Sequence, residues 1–399
     1  MDKTVTYAII GNGVAGLNAA KSIRNLDQEG SMIMITSEEY LTYYRLKLSH
    51  LLGSHVEEKD LLLHDETWYE EQRIEMKMNT IVEKIDPKEH QIHLDDGSVI
   101  HYDKLLLANG SKPFVPPVAG KYKQGVFAVR TLKDIKFIEQ YFSMCETVTV
   151  VGGGILGLES AASIMEAGKK VQVIEFFPYL LPRQLDEELA ESFRQALVDK
   201  GLDIYVGAEV EEILGDVEVE GIRLKDGKKL KTDAVIFSSG IRPSIELASE
   251  AGARVNKGVL VDEWMKSSET DIYAAGDVAE FEGVVFGLWS ASTEQGRIAG
   301  QNMAGKPTAY HLGVPHTQTT ICGIPLFSVG DIQQPEEVLE EKSADGEKVY
   351  KLFIKNKRLT GGILYGDISK LVKMKKLIGS GISLNEAKKL GETVLEILG

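Results

Sequence analysis

Gly11-Asn12-Gly13-Val14-Ala15-Gly16 decides how the rest of this chain is read. The run Val5-Thr6-Tyr7-Ala8-Ile9-Ile10 precedes it and has the β-branched and aromatic character of a strand. From Val14 to Leu26 the apolar residues recur at helical spacing. Strand, glycine turn and helix in that order are the context a dinucleotide fingerprint needs. Gly11 permits the tight turn, Gly13 lets the backbone approach a pyrophosphate, and Gly16 lets helix and strand pack closely. The helix N-terminus then offers unpaired N–H groups to phosphate charge.

One such turn is weak evidence, but the pattern recurs. Val148-Thr149-Val150-Val151 leads into Gly152-Gly153-Gly154-Ile155-Leu156-Gly157, and a helical pattern follows to about Gly168. Glycine again holds the first, third and sixth positions. The two buried runs Leu105 to Gly110 and Ala234 to Gly240 both end in glycine, which supports a duplicated architecture. Two nucleotide sites are expected, one unit inserted within the fold of the other.

A chain of 399 residues has room for two or three domains. Its formal net charge of −15 argues against nonspecific nucleic-acid binding. No apolar stretch approaches a membrane span, and the early residues lack a secretory leader pattern, so a cytoplasmic protein is expected. The two cysteines, Cys145 and Cys322, form no CxxC or CxxxxC pair. That excludes a redox disulfide between neighbouring cysteines and a cysteine-ligated cluster in this chain. No metal site is assigned, because the histidines show no ligand spacing.

Working outward, Ser31 to Thr36 reads as a second strand followed by Glu38, a candidate for ribose hydroxyls, with Glu39 beside it. Tyr43 to His50 mixes aromatic and basic residues, and Arg45 supplies a planar charge suited to phosphate. Asp96-Gly97 and Asp226-Gly227 mark hairpins. In the second unit the strand Lys170 to Ile174 ends on Glu175, whose carboxylate favours ribose hydroxyls and repels a 2′-phosphate, so NADH is expected over NADPH. Glu159 lies just past the last glycine. It reads either as reaching a nicotinamide or as an ordinary first-turn acid. Asp186 to Lys200 reads as an amphipathic helix, and Asp271 to Asp277 as a short apolar strand delivering Asp277 at its C-terminal end. Trp289 opens another helix, whose 293–296 turn, with Glu294 and Gln295, is a candidate contact for a flavin ring. The last section, 313–399, reads as three strands (about 323–329, 348–354 and 358–365) and a closing helix, Ser383 to Leu398. Residues 355–376 form the one strongly basic island: Lys355, Lys357, Arg358, Lys370, Lys373, Lys375 and Lys376 against Asp367.

The order of motifs resembles the FAD-dependent pyridine-nucleotide oxidoreductases of the glutathione-reductase-like fold. The motifs are the first fingerprint, Ala108-Asn109-Gly110, the turn through Glu159, Gly240-Ile241-Arg242-Pro243 and Tyr273-Ala274-Ala275-Gly276-Asp277. The resemblance implies an α/β fold with two Rossmann-like nucleotide-binding domains plus a small α+β C-terminal domain. The FAD domain comprises 1–112 and 241–312, the inserted NAD domain 113–240, and the C-terminal domain 313–399. It implies that Gly11, Gly13, Ala15, Gly16, Glu38, Arg45, Ala108, Gly110, Asp277, Glu294 and Gln295 serve FAD. Gly152, Gly154, Gly157, Glu159, Glu175 and Gly240 serve NADH. Tyr44-Arg45-Leu46-Lys47-Leu48-Ser49-His50 is similar to a segment of rubredoxin, ferredoxin and nitrite reductase flavoproteins, with Leu46 where proline is usual and His50 where lysine is frequent. Lys47 and His50 are thereby placed near the flavin as tuning residues. Gly287 to Gly296 and Leu364 to Lys370 look most like the rubredoxin-reducing members. The implied activity passes electrons from NADH through FAD to rubredoxin or a similar small iron protein, with the island 355–376 as its docking surface. An NADH oxidase or peroxidase, and a redox sensor without turnover, are the alternatives.

Overall fold

The computed structural model describes residues 3–53 and 57–399. The chain divides into two compact units. The first holds Met1–Lys47, Val56–Phe114 and Gly240–His311; the second holds Leu48–His55, Val115–Ser239 and Leu312–Gly399.

In the first unit, strand β1 (Lys3–Ile10) is followed by helix α1 (Val14–Arg24), strand β2 (Met32–Ile35) and strand β3 (Val99–Leu107). Both β2 and β3 run parallel to β1, and Ile10 lies opposite Ile35 and Leu107. β2 and the carboxyl ends of β1 (Ala8–Ile10) and β3 (Leu105–Leu107) consist of Ala, Ile, Leu and Met because both faces are covered there. Ile9, Met34 and Leu106 face one core, and Ala8, Ile35 and Leu107 face the other. The buried run from Leu105 is the end of a longer strand, Val99–Leu107, in which the exposed Asp103 takes the solvent side. Asp96-Gly97 turns the chain from the strand Gln91–Leu94 into β3 as expected.

In the second unit the same order returns: β4 (Thr147–Val151), α2 (Ile155–Glu166), β5 (Lys170–Ile174), α3 (Glu187–Asp199) and β6 (Ala234–Phe237). Five parallel strands stand in the order Asp203–Tyr205, β5, β4, β6, Val126–Ala128. Asp186 caps α3 by accepting from the Leu189 amide, which fixes its start where the amphipathic pattern begins.

The chain then returns to the first unit with strand β7 (Ile272–Ala274), which lies beside β3 with Ala274 opposite Leu107, and with helix α4 (Trp289–Met303). Helix α4 packs on α1 at very short range. A Cβ on Gly296 would fall 2.1 Å from the Ala15 carbonyl oxygen, and one on Gly300 would fall 2.4 Å from that of Ala19.

The last section departs from expectation. It has five antiparallel strands, not three: β8 (His316–Ile321), β9 (Ile324–Gly330), β10 (Glu337–Lys342), β11 (Val349–Lys355) and β12 (Arg358–Tyr365), in the order β8-β9-β12-β11-β10. Helix α5 (Leu371–Gly379) buries Met374, Leu377 and Ile378 against this sheet. The expected closing helix is two short ones, Leu384–Lys388 and Val394–Leu398. Each begins with its own capping box, Ser383 with Glu386 and Thr393 with Glu396, so the chain restarts a helix rather than continuing one.

Candidate functional site

Because β1, β2, β3 and β7 end in register, their following residues gather at one carboxyl edge, where open α/β sheets bind ligands. The first glycine turn sits there. Gly11 takes a φ of +104°, and a Cβ on it would lie 2.2 Å from the Ala108 carbonyl oxygen. A Cβ on Gly16 would lie 2.2 Å from the Gly11 carbonyl oxygen. A Cβ on Gly13 would meet nothing within 4 Å. Two glycines are therefore demanded by the protein's own packing, while the third keeps space clear at the N-terminus of α1. The buried Oδ1 of Asn109, beyond the end of β3, has no hydrogen-bond partner among the described residues. A clear cradle of N–H groups and an orphaned acceptor both fit a dinucleotide held at this edge.

The charged candidates converge on the same edge. Arg45 reaches the Glu38 carboxylate at 2.7 Å, and the Tyr43 hydroxyl donates to the other Glu38 oxygen at 2.7 Å. Burial works against the Arg45 charge. Tyr43, Glu38 and Asp277 together outweigh it and hold the guanidinium above its ordinary value. Asp277 accepts from the Ser111 hydroxyl at 2.9 Å. Gln295 is buried and accepts from the Gly276 amide at 2.9 Å, which fixes the turn that presents Asp277. Glu294 instead faces outward and pairs with Arg297. Trp289 is half-buried against Tyr44, with ring centroids 4.9 Å apart. Lys47 is exposed, its ammonium 5.8 Å from the Tyr44 ring centre.

The second turn repeats the first almost atom for atom. Gly152 has a φ of +126° and its Cβ would lie 2.3 Å from the Ser238 carbonyl oxygen. That of Gly157 would lie 2.0 Å from the Gly152 oxygen, and that of Gly154 would meet nothing within 4 Å. Glu175, 6% exposed, accepts from the amides of Gly153 at 2.5 Å and Phe177 at 2.7 Å. Gly240 follows β6 with a φ of +99°.

Glu159 is not a first-turn acid: α2 is capped at Gly154 and its first turn carries no acidic residue. Its carboxylate accepts from the Ser49 hydroxyl at 3.0 Å and the Thr319 hydroxyl at 2.6 Å, and His50 Nε2 stands 3.9 Å away. The family resemblance brought His50 forward, and the place just past the last glycine brought Glu159; the roles of Ser49, Thr319, Ser111 and Gln295 emerge only from the structure.

Both cysteines lie in the second unit. Burial and the nearby Asp233 push the Cys145 thiol up to about 11, and burial raises that of Cys322. Lys355, Lys357 and Arg358 occupy the β11–β12 turn, and the four lysines lie on or just before α5, whose following residues return to that turn, where the Arg358 guanidinium donates to the Gly381 carbonyl. On α5, Val372 is 73% exposed among Lys373, Lys375 and Lys376. Among the described residues no helix is long and apolar enough to cross a membrane.

A dinucleotide fold interrupted in sequence by a second one, with a separate C-terminal sheet, defines the class of two-nucleotide oxidoreductases. The chain belongs to the pyridine nucleotide-disulphide oxidoreductase family, which it matches over residues 5–296. Residues 315–382 match the rubredoxin NAD+ reductase C-terminal domain. A Bacillus subtilis NAD(P)H nitrite reductase is 34% identical over 96% of this chain and 48% of its own length, so the chain spans about half of that relative. An NADH-rubredoxin oxidoreductase of Clostridium acetobutylicum is 30% identical over 97% of this chain and 98% of its own. A crystal structure of NADH:rubredoxin oxidoreductase from that organism matches with a TM-score of 0.84 and 29% identity, covering 99% of both chains. The expected fold class and family stand.

Proposed function

We propose that this chain is a flavoprotein reductase that carries electrons from NADH by way of bound FAD to a one-electron carrier, rubredoxin or a similar small iron protein. The observation that carries this reading is the pair of matched glycine turns, each with the glycine at its third position, Gly13 or Gly154, facing open space, in a chain whose thiols are both held protonated. Names of full-length relatives support the acceptor. Bound FAD supplies hydride acceptance and release of single electrons.

The chain's own residues bind and orient. Gly13, Ala15 and Gly16 present amides to the FAD pyrophosphate, Gly11, whose own amide donates to the Ile35 carbonyl, makes the turn that brings them there, and Arg45 is a fixed positive charge beside them. Asp277, Glu38, Ala108, Gly110 and Gln295 complete that site, Gln295 through the Gly276 turn, while Glu294, turned outward onto Arg297, takes no part in it. Gly152, Gly154, Gly157 and Gly240 receive NADH, Glu175 takes its ribose hydroxyls, and Glu159 meets its nicotinamide end. Lys47 belongs to the flavin surroundings, while His50 stands 3.9 Å from Glu159 within the second unit. No side chain acts as a nucleophile, because the burial-raised thiols are poor ones at neutral pH. The carrier docks on α5, where an exposed apolar residue ringed by lysines suits an acidic partner.

The test is anaerobic. Yellow protein is mixed with NADH and oxidised rubredoxin, and loss of rubredoxin colour is followed, then repeated with oxygen as acceptor. Fast bleaching with slow oxygen consumption supports the reductase; slow bleaching with fast oxygen consumption overturns it in favour of an oxidase.

A further inference from the structure

Three separate stretches of the second unit meet at Glu159. It projects from α2, the helix that opens at the second glycine turn. Ser49 comes from the strap Leu48–Gly53, which runs along the same helix: one turn beyond Glu159, the Ser163 hydroxyl lies 2.8 Å from the His50 carbonyl and 3.0 Å from that of Leu52. Thr319 comes from β8 of the C-terminal sheet, 160 positions away in sequence. Ser49 and Thr319 are both buried, and each donates to a different oxygen of the carboxylate.

This arrangement is more than a helix needs for its own stability. A carboxylate has about four acceptor positions, so two hydroxyls fix its plane and leave positions open for another donor. A glutamate loses considerable rotamer freedom when it is held. Here folding has already removed that freedom. A ligand amide arriving at Glu159 meets an acceptor that is fixed beforehand, which is how preorganisation raises affinity.

We propose that Ser49 and Thr319 are positioning residues that fix Glu159 as an acceptor for the carboxamide of the nicotinamide. The C-terminal sheet thus sets the orientation of NADH, although it contributes no residue to either glycine turn. The inference rests on the reading above that Glu159 meets the nicotinamide end.

The test uses the FAD-loaded protein and two ligands, NAD+ and ADP-ribose, which share everything but the nicotinamide. Thr319→Val keeps the β-branched shape that suits a strand and removes only the hydroxyl. Titration calorimetry should show NAD+ weakened roughly tenfold and ADP-ribose changed by less than about twofold, the scale of one lost hydrogen bond to a charged group. Thr319→Ser should restore the NAD+ affinity, and Ser49→Ala should repeat the selective loss. Glu159→Gln should also weaken NAD+ selectively, and Thr319→Val added to it should cost little more. Equal weakening of both ligands by Thr319→Val would overturn the proposal, leaving a purely structural hydroxyl. A selective effect in Glu159→Gln with none in Thr319→Val or Ser49→Ala would also overturn it while sparing the role of Glu159. No selective effect in Glu159→Gln removes the reading on which it rests.

Discussion

Gly13→Ala separates what the fold requires from what the ligand requires. Gly13 caps α1 with φ −72° and ψ −177°, a conformation open to alanine, and the new methyl meets nothing within 4 Å. The unfolded chain loses freedom, which stabilises by about 0.4–1 kcal/mol. A poorer N-cap costs a similar amount. The apoprotein should therefore melt within a few degrees of wild type. The same methyl stands where a pyrophosphate must approach the amides. Losing one charge-assisted hydrogen bond costs roughly 1.5–3 kcal/mol, about ten- to a hundredfold in the FAD dissociation constant. Gly16→Ala is the contrast. Its methyl would sit 2.2 Å from the Gly11 oxygen, a backbone atom that cannot step aside. It should lower the apoprotein melting temperature outright, since overpacking costs about 1–3 kcal/mol or more. Gly154→Ala should keep FAD and lose NADH by the same logic as Gly13. The assay is flavin fluorescence titration of apoprotein beside calorimetric melting. If Gly13→Ala binds FAD as wild type does, the first turn is not the FAD cradle and the reasoning fails.

Glu175→Ser should raise the ratio of kcat/KM for NADPH over NADH by roughly tenfold or more, since a carboxylate that repels a 2′-phosphate is gone; an unchanged ratio in steady-state kinetics refutes the assignment. Lys351, 3% exposed, is held by Asp186 at 2.8 Å, Glu340 at 2.7 Å and Glu188 at 3.4 Å. Lys351→Met should cost about 1–3 kcal/mol in urea unfolding, below the figure for a fully buried pair because the carboxylates are partly solvated. Hydrogen bonding from Lys342 and the charge of Lys351 hold the Glu188 carboxyl below its ordinary value. Such a group contributes stability above the ordinary carboxyl range and loses it as pH falls through its lowered value, so on acidification wild type should lose more stability than Lys351→Met. Lys373→Glu with Lys376→Glu should slow rubredoxin reduction several-fold at low salt, flatten its salt dependence and leave NADH oxidation by a small inorganic acceptor unchanged; equal effects on both acceptors would move the docking surface elsewhere.

The parts of the fold that could be read from sequence are those whose physical cause is local. The glycine turns announce themselves because Gly11 takes a left-handed φ of +104° and Gly16 is crowded by the Gly11 carbonyl five residues before it, although Ala108 at the end of β3 also crowds Gly11 from far along the chain. Asp277 and Glu175 follow from a register rule, the gathering of strand ends at one edge. Two misreadings had visible remedies. Leu371, Met374, Leu377 and Ile378 carry a helical period that the surrounding lysines obscured, and two capping boxes mark two helices where one was expected. Strand β10, Glu-Val-Leu-Glu-Glu-Lys, had none: it is a charged edge strand, protected from further pairing by the charges that hide its alternation. The partners of Glu159 were equally hidden, because a serine and a threonine acquire meaning there only through contacts 110 and 160 residues away.

The two turns share a backbone but differ in how each disposes of negative charge. In the second, the residue after β5 is Glu175, and its carboxylate is held by backbone amides alone at the strand end. In the first, the corresponding place after β2 is Thr36, whose hydroxyl donates to Asn12 Oδ1 while Asn12 Nδ2 donates to the Tyr40 carbonyl. Asn12 stands where the second turn has Gly153, so an amide side chain closes the loop that a carboxylate closes in the other copy. The acid of the first turn, Glu38, stands two residues further on and is already paired with Arg45. A fixed carboxylate without a cationic partner discriminates ligands by charge; one neutralised by a guanidinium does not. On the function proposed above, the duplicated fold divides the work: discrimination between NADH and NADPH would fall to the second turn, and the first would hold a diphosphate beside a permanent positive charge.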